Sequence, residues 1–206
     1  MTAGSGVLVL GGFLGSGKTT LLLEIIEHVK RRSDKDVPVA VLENEIGSVG
    51  IDDQVLKGKG YAVTNMLSGC ACCTLSGDLP RAVRDIQDDL DPDLLVVEAT
   101  GLAIPQDMKA NLRSSLSLDA RVCTLVDAFR WRRMLVPLQP LLRQQLRGAD
   151  VICVNKVDLV DQAELGYVFR TLDDLAPSVA RVPLSAGTGV PAEAMAAILG
   201  ERHGRA

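Results

Sequence analysis

Apolar positions fall into short runs that alternate with stretches of helical spacing along the whole chain. Residues 7–10 form a β-rich run that breaks into glycines, and Leu21, Leu22, Ile25, Ile26 and Val29 then recur at the period of one helix face. Residues 37–42 predict a second strand and 61–67 an additional one. A continuous apolar run at 94–97 is of the kind buried on both faces of a parallel sheet, and 121–126 and 151–154 repeat that pattern. Helical patterns cover 79–90, 128–147, 161–175 and 191–199, and 181–184 is a short last strand. Pro80 suits a first helical turn, whereas Pro137 and Pro140 predict an interruption of the region 128–147. Strands alternating with helices predict an α/β fold of three layers, a mostly parallel sheet covered by helices on both faces. The chain of 206 residues has no internal repeat, low-complexity tract or linker, so one domain over 1–206 is the expected organisation.

Composition narrows the core and the partners. Hydrophobic residues make up 47% of the chain but aromatics only 3%, so the core must be built from Val, Leu, Ile and Ala. A net charge of −4 offers no basic face for a nucleic-acid backbone, and nucleic acid is not an expected partner. The apolar runs are far shorter than the roughly 20 residues of a membrane span. No basic region precedes the first strand and no small-residue cleavage site follows it, so a cytoplasmic location is expected.

The first strand opens into Gly12-Phe-Leu-Gly15-Ser16-Gly17-Lys18-Thr19, which fits G-x-x-x-x-G-K-[ST] between a strand and a helix. Glycines let such a loop turn its backbone N–H groups toward phosphate oxygens, and the following helix adds the positive end of its dipole. Lys18 is expected at the β- and γ-phosphates and Thr19 on Mg²⁺. Asn155-Lys156-Val157-Asp158 follows the strand at 151–154. A carboxylate there accepts two hydrogen bonds from the N1–H and 2-amino group of guanine, a pair that adenine does not offer, which makes Asp158 the base-selecting candidate. Asn155 would brace the loop, Lys156 would lay its stem along the purine, and Ser185-Ala186 after the last strand would back the base. Glu98 ends the strand at 94–97 ahead of Ala-Thr-Gly101. It is a candidate Mg²⁺ ligand, or a cap for the next segment.

Gly69-Cys70-Ala71-Cys72-Cys73 places three thiols on a very short loop. Three thiolates can converge on one tetrahedral ion, with Zn²⁺ favoured and Co²⁺ or Fe²⁺ as alternatives. A redox pair and simple packing are the competing readings. Cys123 and Cys153 sit inside apolar strands and read as core. Glu43 and Glu45 follow the second strand and are candidates for either metal, or for a solvated turn. His28 and His203 read as surface residues.

These pieces together resemble the CobW-like metallochaperone GTPases, grouped with HypB and UreG. The resemblance rests on the stretch from Gly11 to Thr20, on Glu43-Asn-Glu-Ile-Gly-Ser-Val-Gly-Ile-Asp52, on Gly69-Cys-Ala-Cys-Cys-Thr-Leu-Ser-Gly-Asp78, on Glu98-Ala-Thr-Gly-Leu, Val126-Asp127 and Ala149-Asp150, and on Asn155-Lys-Val-Asp158. It implies slow hydrolysis of GTP to GDP coupled to delivery of a metal, or a metal cofactor, to a client metalloprotein. It carries the thiolate site onto Cys70, Cys72 and Cys73, with Glu43 as a further ligand. It implies phosphate contacts from Gly12, Gly15, Ser16, Gly17, Lys18, Thr19 and Thr20, and a nucleotide-dependent homodimer. An alternative within the resemblance is a cofactor-loading or reactivating chaperone, for example for a corrinoid enzyme, in which the cysteine-bound ion is structural or sensory. A plain signalling GTPase is a third. The C-terminal domain and histidine-rich stretch common in the family have no counterpart in 1–206.

Overall fold

A computed structural model describes residues 6–43, 55–56, 61–65 and 78–201. Within them the strands are β1 (Gly6–Gly12), β2 (Val39–Glu43), β3 (Val55–Leu56), β4 (Tyr61–Asn65), β5 (Leu94–Glu98), β6 (Arg121–Asp127), β7 (Val151–Asn155) and β8 (Ala180–Pro183). The helices are α1 (Lys18–Lys30), α2 (Asp78–Leu90), α3 (Pro105–Leu116), α4 (Trp131–Leu146), α5 (Gln162–Leu175) and α6 (Ala192–Leu199). One sheet runs in the order β3-β4-β2-β5-β1-β6-β7-β8. Only β3 is antiparallel, against β4; the other pairings are parallel.

Alternation along the strands divides the core into two layers. Val7 and Val9 of β1 face one side, with Leu95 and Val97 of β5 and Ile152 and Val154 of β7. Leu8 and Leu10, Val96, and Val151 with Cys153 face the other. The first layer is closed by α2, α3, α4 and α5, through side chains such as Val83, Leu112, Trp131 and Leu172. The second is closed by α1 and α6, through Leu21, Ile25, Met195 and Ile198. Both faces of the sheet are thus covered, the condition under which strands read as unbroken apolar runs. The expected three-layer α/β architecture is observed.

Three elements depart from expectation. α4 is continuous through Pro137 and Pro140. Both prolines lie on its exposed side, where carbonyls deprived of a helical partner can turn to water, while Trp131, Leu135, Leu142 and Leu146 anchor the opposite side in the core. α3 was not foreseen, because Met108 and Leu112 are its only buried large side chains after Pro105, too sparse a pattern to mark a helix. β3 has two residues, too few for any period. No helix among the described residues is long and apolar enough to cross a membrane.

Candidate functional site

Parallel strands end at one edge of the sheet, and there β1 gives way to the loop that precedes α1. The chain from β1 turns to β2 and β5 on one side and later to β6, β7 and β8 on the other. The crevice at such a reversal is where open α/β sheets bind ligands. Gly15 and Gly17 adopt left-handed backbone (φ 74 and 100). A methyl group on Gly17 would come within 2.2 Å of Asn155 Nδ2, so the close approach itself requires glycine there. Ser16 is buried, and its Oγ has no hydrogen-bond partner among the described residues. Lys18 opens α1 and is nearly buried, its Nζ 3.0 Å from Gly12 O and 3.4 Å from Phe13 O. The first turn of α1 holds no acidic residue, which leaves the positive end of its dipole to an anion.

A cleft of about 770 Å³ opens here. Its walls include Gly15, Lys18, Thr19 and Thr20 from the loop and helix, and Glu43 and Glu98 from strand ends. Glu43 and Glu98 are register partners at the ends of β2 and β5. Thr19 donates from Oγ1 to Glu98 Oε1 at 3.3 Å. Gly101 also lines the cleft, and a Cβ on it would stand 2.8 Å from Leu14 N, so the segment after β5 lies against the phosphate-type loop. Gln145 of α4, buried, holds that segment by donating to Gly101 O at 2.8 Å and Ala103 O at 3.2 Å.

At the end of β7, Asn155 is buried and fully engaged. Its Nδ2 donates to Ser16 O at 2.8 Å, and its Oδ1 accepts from Lys156 N and from Ala186 N, each at 2.9 Å. One side chain thereby ties the loop before α1 to the two segments expected around a base. Lys156 takes left-handed backbone (φ 65) and extends along the cleft wall. Asp158 is exposed on the 3₁₀ turn Val157–Leu159, and Ser185 Oγ donates to its Oδ1 at 2.5 Å. The two segments are also joined through Val157 N and Leu184 O.

The residues expected to hold a transition metal are divided. Glu43 lines the cleft, while Cys70, Cys72 and Cys73, along with Glu45, lie outside the described residues. Among the described residues no group of three or more His, Cys, Asp or Glu side chains is placed to share an ion. Cys123 and Cys153 are core residues, as expected, each fully buried with sulfurs 3.5 Å apart. His28 sits on α1, partly buried, with Arg32 Nη1 2.9 Å from its Nε2; burial and that guanidinium lower its pKa. His203 lies outside the described residues.

Sequence reasoning gave no role to Asp127 and Arg130. Asp127 ends β6 as the register partner of Asn155. Its carboxylate is buried, with Arg130 Nε and Lys156 Nζ each 2.7 Å from Oδ2 and Arg130 N 3.0 Å from Oδ1. Burial pushes its pKa up, but the bonds from Lys156 and Arg130 outweigh this and hold the acid below its ordinary range. An acid at the end of a buried strand beside β1 was the available signal, the same one that singled out Glu98.

A cradle of loop backbone with an ammonium, a hydroxyl and two carboxylates around one cleft defines a P-loop α/β domain. The family model described as CobW/HypB/UreG, nucleotide-binding domain, matches residues 6–182, and the chain belongs to this family. The chain is 34% identical over 168 residues to the zinc chaperone YjiA of Escherichia coli K12, covering 77% of this chain and 51% of that protein. It is 29% identical over 207 residues to the zinc chaperone CobW of Sinorhizobium sp., covering 85% of this chain and 56% of that protein. The chain thus spans about half the length of these curated relatives. The crystal structure of Zn(II)-bound YjiA GTPase from E. coli superposes with a TM-score of 0.65 at 27% identity, over 98% of this chain and 64% of that one.

Proposed function

We propose that this chain binds and hydrolyses GTP and uses the nucleotide state to govern a transition-metal ion destined for a client metalloprotein. The observation that carries the reading is the meeting of Lys18, Thr19, Glu98 and Glu43 in one cleft, with the Asn155–Asp158 turn fastened to its rim. Gly15 and Gly17 shape a loop that a polyphosphate can approach closely, and Ser16 Oγ supplies a buried hydroxyl with no partner among the described residues. Lys18 takes the β- and γ-phosphate oxygens. Thr19 and Glu98, already in contact, form an all-oxygen pair suited to Mg²⁺. When bound, that ion neutralises charge on the transferred phosphoryl group. Asp158, oriented by Ser185, accepts from the guanine edge.

Cys70, Cys72 and Cys73 are the proposed thiolate ligands, for Zn²⁺ first and Co²⁺ or Fe²⁺ second, with Glu43 as the link to the cleft. Two comparisons support zinc: relatives named zinc chaperones and a zinc-bound solved structure. Residues 1–206 act as one nucleotide-binding domain in this reading. Leu14 and Leu102 are 79% and 71% exposed on the cleft wall, an apolar lip suited to a second copy or a client when nucleotide is bound.

The test is competition for Zn²⁺ against a chromophoric chelator, with a non-hydrolysable GTP analogue and then with GDP. The affinities are expected to differ by about fivefold or more. Equal affinities rule out nucleotide control of the ion. Replacing Cys70, Cys72 and Cys73 by serine is expected to abolish the tight site; unchanged binding assigns the metal elsewhere.

A further inference from the structure

Three consecutive carbonyls of the loop before α1 are each held from outside by a different side chain. Leu14 O accepts from Arg130 Nη2 at 2.7 Å, Gly15 O from Lys156 Nζ at 2.7 Å, and Ser16 O from Asn155 Nδ2 at 2.8 Å. A trans peptide sets the carbonyl and the next residue's N–H on opposite sides of one plane. A carbonyl turned outward and fixed therefore fixes the following N–H in the opposite direction. Ser16 N–H closes the turn onto Phe13 O at 3.1 Å. Gly15 and Gly17 line the cleft, so the Arg130 and Asn155 contacts govern the N–H groups of the residues that face a ligand.

Asn155 and Lys156 belong to the motif already assigned to the nucleotide. Arg130 does not, and it is not among the residues that line the cleft. Its guanidinium is held in turn by Asp127, whose side chain is wholly buried and which also accepts from Lys156. A flexible arginine is thereby reduced to one posture, its fork spanning a buried carboxylate and a loop carbonyl. Two cations on one carboxylate leave a net positive charge behind the loop, favourable to a polyphosphate in front of it.

Resting on the nucleotide reading above, we infer that Asp127 and Arg130 are a positioning pair for phosphate recognition. Asp127 fixes the guanidinium, the guanidinium fixes Leu14 O, and the Gly15 N–H is thereby aimed into the cleft before any ligand arrives. Through Arg130 the pair acts on the phosphate end, and among the described residues it makes no contact with Asp158, the residue proposed to choose the base.

The measurement is calorimetric titration of the 206-residue chain with GDP and with GMP, because the ratio of the two affinities isolates the β-phosphate. Arg130→Met is expected to lower that ratio about tenfold, the scale of one charge-assisted hydrogen bond, while the preference for GDP over ADP stays as in the wild type. Arg130→Lys is expected to recover part of it, since a single ammonium keeps the charge but not the fork. Arg130 is partly exposed and Leu14 lies at the surface, where water can replace the lost donor. Should the methionine variant nevertheless fail to fold, the lysine variant carries the same comparison. A GDP-to-GMP ratio within about twofold of wild type overturns the inference, even if both nucleotides bind more weakly. A wild-type chain that binds neither nucleotide overturns the nucleotide reading as well.

Discussion

At the scale of single residues, the site is governed by how closely backbone and side chain approach. Gly17 makes this measurable. Alanine there would meet Asn155 Nδ2 at 2.2 Å while holding left-handed backbone. Such a backbone costs about 1–3 kcal/mol in a residue with a side chain, before the displacement of Asn155 is counted. Gly17→Ala is expected to weaken GDP binding at least tenfold by calorimetry; an affinity near wild type would mean that Asn155 is not a required brace. The motif residues Lys18, Thr19, Asn155 and Asp158 were legible in the sequence because each stands at a fixed offset from a glycine or a strand end. Arg130 was not. Its partner is the backbone of Leu14, more than a hundred positions away, and a contact to a carbonyl leaves no mark on the identity of the residue that accepts it.

At the scale of elements, the strands were readable wherever the sheet is covered on both faces. β1, β5 and β7 each appear as an unbroken apolar run for that reason, and β6 nearly so, interrupted only by the buried Thr124 between its apolar residues. α3 was missed for the opposite reason: after Pro105 only Met108 and Leu112 are fully buried, with Leu116 half-buried at its end, and most of its other residues are polar. α4 shows that tertiary anchoring overrides a local penalty. Trp131 holds its first turn against α5, its indole N–H donating to Thr171 Oγ1 at 2.7 Å. Thr171→Val keeps the shape and strands that buried donor. It is expected to cost about 1–3 kcal/mol in urea unfolding without altering nucleotide affinity. A change below about 0.5 kcal/mol would show that water reaches the indole.

For the molecule as a whole, the two apolar layers set how it opens. Cys123 and Cys153 lie side by side in the layer beneath α1 and α6, with no exposed surface. The hydrogen bond between the thiols and their burial push the Cys123 pKa well up, and a protonated thiol is a poor nucleophile. Alkylation at these two positions therefore requires the sheet to come apart. Iodoacetamide is expected to modify them roughly a thousandfold more slowly in native buffer than in denaturant, as for groups protected by global stability. Peptide mapping reads each cysteine separately. Fast labelling at Cys123 or Cys153 under native conditions would mean that the layer breathes locally, and that the sheet and its covering helices are not one cooperative unit.

The rim of the sheet at β8 has a consequence for assembly. That strand has four residues, carries Arg181, and finishes in Pro183, which has no N–H to offer. A neighbouring chain that tried to lengthen the sheet there would find a ladder with few rungs. Association by strand addition is disfavoured on that side. On that side, contact with another chain would fall to side chains on helices and loops, which can change their fit without disturbing the sheet.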